Sequence, residues 1–265
     1  MSIPPTATDH HQPACQALEH STPLLGEAIR RAPAAARPAG MRWTNAEIAA
    51  HMYASVVESR KLVRGVPSLY DGVGPTAELD EKMVAGVEER DVAALADLVE
   101  QGTAQFLRDV RGLSGDEPVG IPGASVVTTV GLLAADHHLH GGQFAGTVGA
   151  RWSGDPADLH APLSAILPFA FDPDGALGFT GSFTLRLRGC APLRYAVRDG
   201  ELVEPPDRTD CTITADPQTF LRMGIGVVSQ LRAALTLKLR ATGRRPWLAT
   251  AVPRLFPPIP HGGVE

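Results

Sequence analysis

The sequence predicts two domains: an all-α four-helix bundle over residues 1–150, then a small α+β domain with an antiparallel sheet over residues 160–265. Three observations carry this prediction. Apolar side chains recur at helical spacing through the first part of the chain, and strict alternation replaces that spacing from Gly181 onward. Between the two, Arg151–Ala161 (RWSGDPADLHA) has the Gly, Pro and Asp content of a linker. At 265 residues and 44% hydrophobic, the chain has enough apolar material for a sizeable core.

The helices follow in order. Leu18, Leu24, Leu25, Ala28 and Ile29 line one face of Ala14–Arg31, where Pro23 is expected to interrupt or kink the segment. Thr44-Asn45-Ala46-Glu47 is a capping box, and Ile48, Met52, Val56 and Leu62 follow it on one face until Gly65-Val66-Pro67. The stretch from Thr76 to Leu113 reads as helical, with Leu95, Leu98, Phe106 and Val110 as core candidates. A fourth helix is expected from about Ser125 to Gly146.

In the second part, Phe183, Leu185 and Leu187 alternate with Thr184, Arg186 and Arg188. Leu193, Tyr195 and Val197 repeat the pattern, and Asp199-Gly200 is a hairpin turn before Glu201–Val203. Thr212–Thr214 reads as a strand, and Asp216-Pro217 as the N-cap and first position of a helix through Leu235. A strand at Thr236–Arg240 and a short helix near Pro246–Leu255 complete the expectation.

Composition excludes several functions. The charge balance, 24 basic against 29 acidic residues, gives −5 and offers no general attraction for phosphate backbones or anionic membranes. Aromatic residues are only 5% of the chain, little for stacking bases, so no nucleic-acid partner is expected. Cys15, Cys190 and Cys211 are odd in number and show no CxxC spacing, which argues against a disulfide framework or a thiolate zinc site. The N-terminus lacks a basic region followed by an apolar core, and the longest apolar run, Val126–Ala135, is too short to span a bilayer. A cytoplasmic protein with no membrane partner, a monomer or homodimer acting on a small molecule, is the expectation.

Chemistry concentrates at the histidines. Asp136-His137-His138-Leu139-His140 lies in the fourth helix, and Asp136 and His140, four apart, share a face. His51 lies seven residues past the second helix's N-cap. A carboxylate and two imidazoles from facing helices would leave open positions on a metal, a catalytic style of coordination. Spacing leaves alternatives open: His137 and His140 form an i, i+3 pair, and DHHLH also suits a polar helix face.

Two segments resemble the DinB-like superfamily, and more closely the maleylpyruvate isomerase branch of mycothiol-dependent enzymes. Trp43-Thr44-Asn45-Ala46-Glu47-Ile48-Ala49-Ala50-His51 is similar to that family's W-T-x-x-E-[LIV]-x-x-H helix start. Asp136-x-x-x-His140-Gly141-Gly142-Gln143-Phe144-Ala145 is similar to its E-x-x-x-H-x-x-D-[LF] segment. The resemblance implies a divalent metal, usually zinc, held by His51, Asp136 and His140. Aspartate stands where the family has glutamate, and Gln143 where it usually has aspartate. From about Ala161 the chain resembles the sterol-carrier-like domain that accompanies the bundle, on its alternating strands and its Ile213–Pro217 and Gly243–Ala249 segments.

The resemblance also implies mycothiol or another low-molecular-weight thiol as cosubstrate. A free thiol, with a pKa of about 8.5, is a weak nucleophile near neutrality, and coordination to a zinc-like cation removes its proton. The implied reactions are cis–trans isomerisation through addition to an activated alkene, or S-transfer onto an electrophile. Arg186, Arg188, Arg222, Arg232 and Arg240 are candidates for holding carboxylates, Arg222 first among them as a substrate-binding residue. No cysteine lies near the metal motifs, so the thiol is expected from outside the protein. The competing reading is a non-catalytic small-molecule or lipid-binding protein with a degenerate metal site. No residue beyond the metal ligands is assigned to catalysis.

Overall fold

The computed structural model describes residues 7–259 and 261–264, with side chains from residue 10 onward. The helical part comprises α1 (Ala7–Arg31), α2 (Asn45–Val63), α3 (Ala77–Gly86), α4 (Val92–Val110) and α5 (Val126–Thr147). The expected capping box starts α2: Glu47 N donates to Thr44 Oγ1 at 3.3 Å, and Thr44 N donates to Glu47 Oε2 at 2.7 Å. Pro23 does not interrupt α1. An interior proline costs a helix ~3 kcal/mol. Leu18, Leu25 and Ile29 are fully buried on the same helix, and each contributes about 1.5–3 kcal/mol, so packing prevails.

The stretch expected as one helical region between Thr76 and Leu113 divides at residues 87–91. Two separate caps explain this: Thr76 Oγ1 accepts from Leu79 N, and Asp91 Oδ1 accepts from Ala94 N.

Next come α6 (His160–Phe169), β1 (Gly181–Leu187), β2 (Leu193–Arg198), β3 (Glu201–Val203) and β4 (Cys211–Ala215). The chain closes with α7 (Pro217–Gly224), α8 (Gln230–Leu235), β5 (Leu239–Gly243) and α9 (Val252–Leu255). The helix expected through Leu235 breaks after Gly224 and restarts where Ser229 Oγ accepts from Arg232 N. Leu237, with φ of 56°, turns the chain out of α8, so the last strand begins three residues later than expected.

The expected antiparallel sheet is corrected to a mixed one. Its order is β3-β2-β1-β4-β5, with β1 and β4 parallel and every other pair antiparallel. The cause is local. Asp210, just before β4, accepts from both Ser182 N and Ser182 Oγ at the start of β1, so the two strands begin side by side and run the same way.

Phe183, Leu185 and Leu187 of β1 pack in one core with Leu139 of α5 and with Leu163 and Ile166 of α6. The helical and sheet parts thus share apolar surface rather than meeting across a solvated linker. The chain end crosses back as well. Arg42 N donates to Gly263 O, Gly262 N to Asp80 Oδ2, and Gly263 N to Glu81 Oε1. Gly263 takes φ of 73° beneath Trp43, whose ring would lie 2.2 Å from any Cβ there, so only glycine fits. Among the described residues, no helix is long and apolar enough to cross a membrane.

Candidate metal centre

The three histidines crowded in α5 separate because each residue advances ~100° around the helix. His137 turns toward α1, its Nδ1 3.1 Å from Ser21 Oγ. His138 accepts from Trp152 Nε1 at 3.1 Å. His140 alone turns toward α2, where its ring lies 5.4 Å from that of His51. Gly141 and Gly142 let Trp152 and Gln218 approach the helix closely, since a Cβ on either would strike them.

The third imidazole comes from the chain end. His261 lies 4.9 Å from His51 and 5.2 Å from His140, centroid to centroid. One potential ligand atom from each of the three falls within 4.8 Å of the other two. Trp43 packs against both His51 and His261. Sequence reasoning missed His261. Its only local signal was the Gly262-Gly263 pair that follows, which allows the close approach under Trp43.

Burial holds the three rings neutral. It pushes His140 down to about 3 and His261 down to about 4, and sets His51 well below the ordinary imidazole value. For His51 and His140, repulsion from the neighbouring imidazoles adds to burial. Neutral imidazole is the form that binds a metal.

The donor pattern fits a cation. Gln143 Oε1 accepts from His140 Nδ1 at 2.7 Å and His261 Nδ1 donates to the Gly262 carbonyl, so both rings keep Nε2 for a ligand role. These Nε2 atoms and His51 Nδ1 are buried and without hydrogen-bond partners. A buried nitrogen left this way costs about 1–3 kcal/mol, which a bound cation would relieve. Three imidazoles suit zinc with an open position. Gln143→Leu is expected to weaken zinc binding about 10–100-fold with the fold intact, checked by competition against a chelating dye.

Asp136, expected as a ligand, is not among the three converging groups. It lines a cavity of about 80 Å³ together with His51, Ser55, Tyr70, Asp80 and His261. Burial, and then the charge of Asp80, push its carboxyl up to about 8. Asp80 itself is pushed up to about 7 by burial, against the hydrogen bond from Gly262. A cavity of about 450 Å³ between the helical and sheet parts shares Leu132, Asp136, Ile225 and Ile259 with the smaller one.

Arg222, expected to bind substrate, lines neither cavity, and its Nη2 donates to Ala39 O at 2.8 Å. Arg186, Arg188, Arg232 and Arg240 are exposed and line neither cavity. The three cysteines are also absent from both walls, and burial raises each thiol, Cys15 and Cys190 to about 11.

A helical bundle and a mixed sheet sharing one core, with two buried imidazoles and one half-buried one converging beside their common cavity, define a two-part fold with a candidate metal centre. Its likeness is to a solved mycothiol-dependent maleylpyruvate isomerase: TM-score 0.53 at 14% identity, covering 87% of this chain and 92% of that one. A mutant of that isomerase gives 0.51 at 13% identity, over 89% and 93% of the two chains. At such identity the likeness establishes a shared fold. No family model and no curated protein sequence matches the chain.

Proposed function

We propose that the protein is a metal- and thiol-dependent enzyme, a thiol S-transferase or cis–trans isomerase acting on a small electrophile. The observation that carries this reading is the convergence of His51, His140 and His261, each with a buried unpartnered nitrogen, beside the cavities. The shared fold with a mycothiol-dependent isomerase supports the same reading. A divalent cation, with zinc as the best fit, would be held by these three residues and would supply a Lewis acid that favours the deprotonated form of a thiol.

The chain's own groups supply the rest. Gln143 and the Gly262 carbonyl orient His140 and His261. Burial raises the Asp136 carboxyl above the ordinary carboxylate value, and it lines both cavities, where it can give a proton to substrate or take one. With three imidazoles converging, we assign this carboxyl to proton transfer rather than to the metal. The protein's thiols are raised and lie off the cavity walls, so the nucleophile comes from outside, from mycothiol or a similar thiol.

The test is metal analysis of purified protein alongside thiol consumption with maleyl-type and alkylating electrophiles. His51→Ala and His140→Ala are expected to lose metal and turnover, and chelation to abolish turnover. A variant lacking all three cysteines should keep its thiol-dependent rate. Asp136→Asn should keep its metal and lose most turnover; loss of metal instead would make Asp136 a ligand. The larger cavity also suits a non-catalytic binding protein, and that reading wins if a small apolar molecule co-purifies while no electrophile consumes thiol.

A further inference from the structure

The wall of the larger cavity bears on which electrophile fits. It is built from α5 and α6 on one side and from the sheet, α7 and the segment before His261 on the other. Leu139, Leu163, Phe183, Phe220, Leu239 and Phe256 represent its chemistry. No Lys, Arg or His lines it among the described residues. Its polar groups are few, Asp136, Tyr195, Ser229 and Gln230, and Asp136 is the one at the junction with the smaller cavity.

Charge decides what such a wall accepts. A dicarboxylate filling this cavity would bring two charges to a wall with no cationic side chain among the described residues. Removing an unpaired carboxylate from water costs several kcal/mol per ion. An uncharged hydrocarbon body gains ~25 cal/mol per Å² of apolar surface removed from water. At about 450 Å³, the cavity lies within the range of small-molecule sites, and it shares Asp136, with Leu132, Ile225 and Ile259, with the smaller cavity that His51 and His261 line.

We infer that the substrate is an uncharged electrophile with a bulky alkyl or aryl body, which fills the apolar cavity while its reactive carbon stands at the three histidines. This rests on the thiol-dependent reading above and narrows it to a substrate class. The reaction is an addition: the thiol sulfur forms a bond to the β-carbon of an activated alkene, the alkene π pair moves to the α-carbon, and the thiol's proton ends there. Nothing is oxidised or reduced.

The experiment uses the zinc-loaded full chain with two readouts. In the first, the neutral fluorophore N-phenylnaphthylamine is bound and then displaced with decanol or with maleate. In the second, mycothiol consumption is followed with nonenal or with maleate as electrophile. Decanol is expected to displace the probe at a concentration at least about tenfold below maleate, and nonenal to be consumed with a kcat/KM at least about tenfold higher. Leu167→Trp, which fills the cavity from its wall, should weaken the probe and decanol about tenfold while zinc content is unchanged. Preference for maleate in either readout, or failure of the probe and decanol to bind, overturns the inference. Decanol binding with no zinc uptake and no thiol consumption overturns the enzyme reading and, with it, the assignment as substrate, while identifying an apolar ligand site. The two failures are therefore distinguishable.

Discussion

Replacing His261 with alanine is expected to lower zinc affinity about a hundredfold or more, a loss as large as that from His51→Ala. The argument is geometric. His261 is one of three imidazoles whose ligand atoms lie within 4.8 Å of one another, and its Nε2 is buried without a partner. Structural zinc binding is worth ~10–16 kcal/mol in total, so one ligand in a small set carries several of these. The tail is held there by bonds that do not involve the imidazole: Gly262 N to Asp80, Gly263 N to Glu81, and Arg42 N to Gly263 O. His261→Ala should therefore fold normally. His137→Ala is the control, because His137 is buried even more fully but faces Ser21. Zinc titration by calorimetry checks both, and wild-type affinity in His261→Ala would remove the tail from the metal centre.

The second large effect is on stability against pH in the metal-free protein. His137 and His140 are pushed down to about 3, His138 and His261 to about 4, and His51 well below 6.5, in each case chiefly by burial. Unfolded, each titrates near 6.5. Between these values the unfolded chain binds more protons, so stability is full above about pH 6.5 and is lost as pH falls below it. Asp136 and Asp80 act oppositely. Their native values of about 8 and about 7 lie above the unfolded value near 4, so stability declines as pH rises from about 4 toward 8. Five imidazoles outweigh two carboxyls below 6.5, and above it only the carboxyls act.

The apoprotein should thus be most stable near pH 6.5 and decline gently toward pH 8. At about pH 5 it should lose on the order of 5 kcal/mol, much of the stability of an ordinary domain. Denaturant midpoints in chelator at the three pH values decide the point. Midpoints unchanged between about pH 6.5 and 5 would contradict the burial of neutral imidazoles. Zinc should raise the midpoint at neutral pH, because binding to the folded state alone stabilises it by mass action.

How much of this was legible in the chain depends on the range over which each feature is decided. Thr44 and Glu47 lie three residues apart, and their mutual bonds start α2 whatever the rest of the molecule does. The alternation from Phe183 to Leu187 placed one apolar face of β1 in the core for the same reason. His51 and His140 could be paired from sequence because each sits on a helix with a readable face and a motif around it. Other features depend on partners far away in the chain. Pro23 stays inside α1 because tertiary burial outweighs its local cost. The parallel pairing of β1 with β4 rests on Asp210 meeting Ser182 across 28 residues. His137, His138 and His140 are nearly identical as letters, and only the neighbours each meets (Ser21, Trp152 and the opposing histidines) separate a packing role from a ligand role. His261 lies on no periodic element, so no pattern announces it. Its place at the centre is decided by the tail's backbone bonds to Asp80 and Glu81 and by two glycines small enough to pass beneath Trp43, contacts that exist only once the chain has folded.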